Sequence, residues 1–156
     1  MCSFRIRGLP ASDFSPLFAM SDSELEHHGA KRMVARDGGY PCRVSLTDAA
    51  PGDTVILVNY EHHRTRSPFR SSFALYVRGG EQTFDAIDSV PEQLRKRSLS
   101  LRGYDGAGML IAADLIDGQR IEVGIDSMLA ERRIAYVHAH FAKPGCYAAL
   151  IERAPV

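Results

Sequence analysis

Short apolar runs separated by glycine- and proline-containing turns constrain the fold of this chain most strongly. The runs 54–58 and 73–77 are almost continuously apolar, and segments 98–104 and 109–116 flank a glycine-containing turn. Such runs predict strands, and the short connections between them favour antiparallel pairing. Segment 41–46 is predicted to be a further short strand. The pattern therefore predicts an α+β fold with a mainly antiparallel sheet.

Helix signals occur at three places along the chain. Ser21 and Ser89 are each followed three residues later by a glutamate, Glu24 and Glu92, which is the spacing of a capping box at a helix start. A third and longer helix is predicted after Asp117-Gly118, where apolar residues follow the spacing i, i+4, i+7, i+8, namely Ile121, Ile125, Met128 and Leu129. We expect about three helices to cover one face of the sheet and to leave the other face free for a ligand or a partner.

Size and charge limit the possible classes of function. The chain has 156 residues, of which 45% are apolar and 24% charged, so we expect residues 1–156 to form a single globular domain. The formal net charge is zero, which provides no whole-molecule field toward nucleic acid or an anionic membrane surface. No apolar run approaches transmembrane length, and the N-terminus carries charges too early for a signal peptide. We therefore expect a soluble cytoplasmic protein without nucleic-acid or membrane partners.

The terminal hairpin holds the best candidate site. His138 and His140 are two residues apart on the predicted strand 134–141, so their side chains share one face. The opposite face of this strand is apolar, with Ala135, Val137, Ala139 and Phe141, and is expected to face the core. The histidines are therefore expected to face away from the core, into a groove or solvent. A four-residue loop would pair His140 with Tyr147, whereas a three-residue loop would pair it with Cys146. Only the second register would place a thiol beside the imidazoles.

Metal binding and thiol chemistry are two possible uses of these residues. His138 and His140 could supply two ligands to a metal, with a third from His62, His63, Cys42 or Cys146, but no spacing enforces such a set and no metal or other cofactor is assigned. The three cysteines, the third being Cys2, are widely spaced and odd in number, which argues against a disulfide framework. Cys42, next to Arg43, and Cys146 are candidate reactive thiols, although free cysteines are usually small buried apolar residues.

Anion recognition is the leading hypothesis. Segment 59–72 follows a predicted buried strand and is dense in hydrogen-bond donors. We expect Arg43 and Arg70 to hold a carboxylate or phosphate. The residues that would donate hydrogen bonds, move protons or complete the ligand-binding set are His62, His138, His140 and Tyr147. The alternatives are a metal-dependent enzyme using His138 and His140, and a non-catalytic interaction module that forms a homodimer through an unpaired strand edge.

Several of these segments also resemble one protein family. Tyr40–Leu46, Asn59–His62, Ser67–Arg70, Tyr136–His140 and Gly145–Ala148 are similar to a bacterial family known as domain of unknown function 1203. The resemblance covers nearly the whole chain and keeps the order of the segments. It implies a small, single-domain bacterial protein with no assigned activity, and therefore provides no catalytic residues to transfer.

Overall fold

The computed structural model describes residues 1–156 and contains nine strands in two antiparallel sheets. The strands are β1 (Phe4–Arg7), β2 (Ala30–Val34), β3 (Thr54–His63), β4 (Ser71–Arg78), β5 (Asp85–Ile87), β6 (Ser98–Tyr104), β7 (Leu110–Asp117), β8 (Tyr136–Phe141) and β9 (Tyr147–Arg153). The larger sheet has the order β5-β1-β9-β8-β6-β7, and the smaller sheet has the order β2-β3-β4. The predicted α+β fold with antiparallel pairing is confirmed.

Three α-helices connect these strands, namely α1 (Asp22–His27), α2 (Glu92–Arg95) and α3 (Ile121–Ala130). The Ser21 hydroxyl accepts a hydrogen bond from the Glu24 backbone N–H at 3.2 Å, so the first predicted helix start is confirmed. The second predicted capping box is wrong, because the N-cap of α2 is Pro91 and not Ser89. Proline has a fixed φ that suits a helix start, and here its carbonyl accepts from the Leu94 N–H.

No helix in this structure has both the length and the apolar character that crossing a bilayer requires.

The main core lies between α3 and one face of the larger sheet. The stripe predicted for α3 is buried as expected, and it packs against β6, β8 and β9. Gly124 allows this close approach, since a Cβ at that position would lie 2.7 Å from the Leu101 Cδ1 atom. The predicted stripe and its core-facing direction are therefore confirmed.

A second core lies on the opposite side of the larger sheet. It combines Ile56 and Val58 of β3 with the N-terminal residues Leu17 and Leu25, and it includes Tyr147 of β9. The smaller sheet therefore packs over the sheet face that we expected to be free. That expectation is wrong because it assumed one sheet with helices on one side. The chain instead forms two sheets, and each buries a face against the other.

The connection between β2 and β3 passes through the interior. Cys42, Arg43 and Val44 are all buried, at 0, 1 and 1% exposure. The Arg43 backbone N–H donates to the Tyr76 carbonyl at 2.9 Å, and the Arg43 carbonyl accepts from the Leu9 N–H at 2.8 Å. The strand predicted at 41–46 is wrong, because this segment makes isolated bridges and a turn and has no alternating buried and exposed residues.

Candidate functional site

Four histidines that are distant in sequence meet between the two sheets. His62 and His63 end β3, and their rings contact those of His138 and His140 on β8. The ring centroids are 5.2 Å apart for His62 and His140, and 5.1 Å apart for His63 and His138. The packing of the two sheets thus creates what we term the histidine cluster, consisting of His62, His63, His138 and His140.

Tyrosines enclose the histidine cluster. The Tyr147 ring stacks on His62 at 5.1 Å, and its centroid lies 5.0 Å from that of His138. His63 is held at both nitrogens: Nδ1–H donates to the Phe69 carbonyl at 2.8 Å, and Nε2 accepts from the Tyr136 hydroxyl at 2.7 Å. The structure therefore brings His62, His138, His140 and Tyr147 together, as the sequence-based site required, while a ligand on them stays a prediction.

Burial makes these imidazoles poor bases. His138 and His140 are only 5 and 1% exposed, so the expectation that they face a groove or solvent is wrong, since the end of β3 covers them. Burial lowers the pKa of His138 to about 2, of His140 to about 3 and of His62 to about 4, and neighbouring imidazoles and the Arg102 guanidinium contribute further. The three rings are therefore neutral at physiological pH.

Three buried nitrogens of the histidine cluster have no hydrogen-bond partner, namely His62 Nδ1, His138 Nδ1 and His140 Nε2. The Nδ1–H of His140 donates to the Gly145 carbonyl at 2.9 Å, so its Nε2 carries a free lone pair. No group of three or more histidine, cysteine, aspartate or glutamate side chains is placed so that it could hold a metal ion. The metal-dependent alternative therefore gains no support from this geometry.

The register of the terminal hairpin separates the thiol from the imidazoles. His140 pairs with Tyr147, and the Phe141 N–H donates to the Cys146 carbonyl at 2.9 Å, after an irregularity between Ala139 and His140. This is the first of the two registers that the sequence left open. Cys146 therefore does not join the histidine cluster, and its sulfur contacts Arg43 instead.

Cys146 and Arg43 line a cleft of about 580 Å³ between the terminal hairpin, α2 and the smaller sheet. This is the size of typical small-molecule sites. Its apolar walls include Leu57, Phe73 and Phe141. Four of its lining side chains are basic and none is acidic, the basic ones being Arg43, Lys96, Arg97 and Lys143. We refer to this site as the basic cleft.

Arg43 is the buried cation of the basic cleft. Its Nε donates to the Tyr147 carbonyl at 2.7 Å, its Nη1 to the Pro41 carbonyl and its Nη2 to the Cys146 sulfur at 2.9 Å. The guanidinium carbon lies 4.8 Å from the Phe141 ring centroid. Burial lowers the pKa of Arg43, and the contact with Cys146 opposes this shift. No carboxylate pairs with Arg43, so its charge lacks an acidic partner.

Two of the other three cations share a single carboxylate. Asp48 lies 2.6 Å from the Lys96 Nζ and 3.0 Å from an Nη of Arg97. Lys143 is exposed and forms no ion pair. The basic cleft therefore has an excess of positive charge. Sequence reasoning missed Lys96, Arg97 and Lys143, because each follows a helix or lies in a turn, where a basic residue usually contacts only solvent.

Two sequence-predicted residues lie outside this arrangement. Arg70 does not line the basic cleft, and its exposed guanidinium pairs with Glu61 at 2.8 Å. The structure therefore does not bring Arg43 and Arg70 together around one anion. Cys42 is fully buried, and its thiol lies 3.6 Å from the Tyr40 carbonyl oxygen. Burial raises the pKa of Cys42 to about 12, which keeps this thiol protonated. Cys42 thus has the structural role usual for free cysteines.

The fold and this site define a small α+β protein with two packed antiparallel sheets and a basic, apolar-walled cleft at their side. A family model described as "Protein of unknown function (DUF1203)" matches residues 39–153, and the chain belongs to this family. The matched range contains the whole histidine cluster and every residue that lines the basic cleft. No curated protein and no solved structure matches the chain.

Proposed function

We propose that this protein binds a small organic anion, a carboxylate or phosphate attached to an apolar or aromatic group, in the basic cleft. The observation that supports this proposal is the combination of four basic side chains, with Asp48 as their one ion-pairing carboxylate, and apolar walls. Arg43 is a buried cation without a carboxylate partner, which favours an anion from solution because burying unpaired charge is costly.

The walls of the cleft indicate what the anion is attached to. Phe73 is 43% exposed, and the guanidinium carbons of Arg43 and Arg97 lie 4.8 and 5.1 Å from the Phe141 ring centroid. An aromatic or aliphatic ligand body would cover Phe73, while its acidic group would reach the guanidinium and ammonium donors. Arginine suits carboxylate and phosphate because its planar donors match these groups.

The histidine cluster has an indirect role in this function. Its rings pack against each other between β3 and β8 and fix the strands whose ends carry Phe141 and Cys146. The proposed site therefore keeps Arg43 from the sequence-based set, and it replaces Arg70 with Lys143 as the exposed cation.

Isothermal titration tests this function with benzoate, phenyl phosphate and benzamide, which is the neutral isostere of benzoate. We expect both anions to bind and benzamide to bind at least about tenfold more weakly, a difference of about 1.4 kcal/mol. Lys143→Ala should weaken benzoate binding about threefold, as expected for loss of one solvent-exposed charge.

Lys31→Ala removes an exposed lysine from β2, outside the cleft, and is the matched control that should bind like the wild type. Equal affinity for benzoate and benzamide, or no binding of either, would contradict the proposed function. Weaker binding in Arg70→Ala with unchanged binding in Lys143→Ala would instead place the anion at segment 59–72.

A further inference from the structure

The sulfur of Cys146 makes a different contact from the other two cysteines. The thiols of Cys2 and Cys42 each lie 3.6 Å from a backbone carbonyl oxygen, so there the S–H group is the donor. The Cys146 sulfur lies 2.9 Å from Nη2 of Arg43, where the sulfur can only accept. A cation in contact with a cysteine favours its thiolate form.

The burial of the Arg43 guanidinium adds to this contact. This side chain is 1% exposed, and a guanidinium stays protonated in proteins. Its other two hydrogen-bond partners are the neutral carbonyls of Pro41 and Tyr147. A buried cation requires a nearby negative charge. Of the three atoms that accept hydrogen bonds from Arg43, only the Cys146 sulfur can carry that charge.

Cys146 also has access to the basic cleft, whose lining it forms together with Arg97 and Lys143. We propose that Cys146 is a thiolate paired with Arg43, and that it undergoes thiol–disulfide exchange with a small-molecule disulfide that enters the cleft. The preference for an anionic disulfide rests on the proposed function.

The exchange balances without a further reactant. The Cys146 thiolate attacks one sulfur of the disulfide, the S–S bond of the small molecule breaks, and a mixed disulfide forms on Cys146. The other half of the small molecule leaves as a thiolate and takes its proton from solvent. The disulfide is the oxidant, and Cys146 is oxidised.

The order in which the three cysteines react provides the first test. The folded wild-type protein is treated with substoichiometric 5,5′-dithiobis(2-nitrobenzoate), a disulfide with a carboxylate on each half, and the modified cysteine is identified by peptide mass spectrometry. Exposure alone predicts that Cys2 reacts first, since Cys146 is only 7% exposed. We expect Cys146 to react first. Modification of Cys2 before Cys146, with Cys146 reacting only in the unfolded chain, would overturn the inference.

A Cys2→Ser/Cys42→Ser background isolates the role of Arg43. In that background, Arg43→Met should slow the reaction of Cys146 about tenfold, while Lys31→Ala should leave its rate unchanged. An unchanged rate in a folded Arg43→Met protein, verified by circular dichroism, would overturn the pairing. If Arg43→Met does not fold, the order in which the cysteines of the wild-type chain react decides whether Cys146 is a reactive thiolate.

A neutral disulfide distinguishes this inference from the proposed function. Fast reaction of Cys146 with both the anionic reagent and 2,2′-dithiodipyridine at equal rates would support the thiolate and count against anion binding. An unreactive Cys146 in a protein that still binds benzoate would overturn the thiolate alone.

Discussion

At the scale of single residues, the burial of His138 and His140 links the stability of the protein to pH. Their pKa values lie at about 2 and about 3 in the folded protein, well below the ordinary 6.5. Below about pH 6.5 the unfolded chain therefore binds protons at these positions that the folded protein does not bind. The free energy of unfolding must then decrease as the pH falls through this range, and it is fully retained above it.

Urea unfolding at pH values between about 7 and about 5 measures this effect. We expect each of the two histidines to contribute a slope approaching about 1.4 kcal/mol per pH unit once the pH is well below 6.5. Above about pH 5 most carboxylates stay ionised, so histidines dominate the slope. His140→Gln should reduce the wild-type slope by the share of one histidine.

The matched control for this prediction is His28→Gln, at the exposed end of α1, which should keep the wild-type slope. A free energy of unfolding that does not change between about pH 7 and about pH 5 would show that the buried rings do not lose their protons on folding.

The sequence predicted part of this site, residue by residue. Strand alternation was sufficient to place His138 and His140 on one face, because side-chain direction is a local property. Their burial depends on His62 and His63 of β3, more than seventy residues away, and no local pattern specifies that contact. The position of Cys146 depended on a one-residue difference in register, which the loop sequence did not decide.

At the scale of secondary-structure elements, the segment before α3 packs closely against the backbone at the end of α2. A Cβ at Gly118 would lie 1.9 Å from the Leu94 carbonyl oxygen and 2.6 Å from that of Arg97. Carbonyl groups at the end of a short helix cannot rotate away as a flexible side chain could. The position therefore requires glycine for space.

Gly118→Ala should consequently lower the free energy of unfolding by about 3 kcal/mol, at the upper end of ordinary overpacking effects. Chemical denaturation at neutral pH measures this change. Gly106→Ala is the matched control, because a Cβ there meets no atom within 4 Å, and its effect should be within about 0.5 kcal/mol. Similar stabilities of the two variants would contradict the close packing at this junction.

The elements that the sequence predicted correctly are those with a regular period. The stripe of α3 and the hairpin of β6 and β7 fall in this group. The segment 41–46 has four consecutive buried residues, 41–44. Its backbone hydrogen bonds go to Leu9, Tyr76 and Phe84, which belong to separate parts of the chain. Such a segment has no period of its own, so sequence patterning could not predict its conformation.

At the scale of the whole molecule, the two sheets share side chains and should unfold together. Tyr147 belongs to β9 of the larger sheet but packs in the core of the smaller one, and His62 of the smaller sheet stacks on it. Separating the sheets would expose both rings and the buried histidines at once. Unfolding should therefore be cooperative.

Urea titrations followed by far-ultraviolet circular dichroism and by tyrosine fluorescence test this coupling. The chain has no tryptophan, and its six tyrosines are distributed over both sheets and the connection between β2 and β3. We expect the two signals to give the same midpoint. Two separate transitions would mean that each sheet is stable without the other.

The number of sheets could not be predicted from the strand pattern. A run such as 54–58 is buried whether it lies in the middle of a large sheet or of a small one. The basic cleft has the same origin, because it combines the end of α2, the strands β3 and β4 and the terminal hairpin. Local patterns define such elements individually, while the space between them follows from how they pack.

Substitution of Arg43 removes structural hydrogen bonds and a charge of the basic cleft at the same time. Its bonds to the Pro41 and Tyr147 carbonyls link the β2–β3 connection to β9, and its guanidinium also contacts the Cys146 sulfur and lines the basic cleft. A mutational screen scored on expression would assign Arg43 to folding, and a screen scored on ligand uptake would assign it to recognition. Either screen alone would therefore miss one of the two sets of contacts that Arg43 makes.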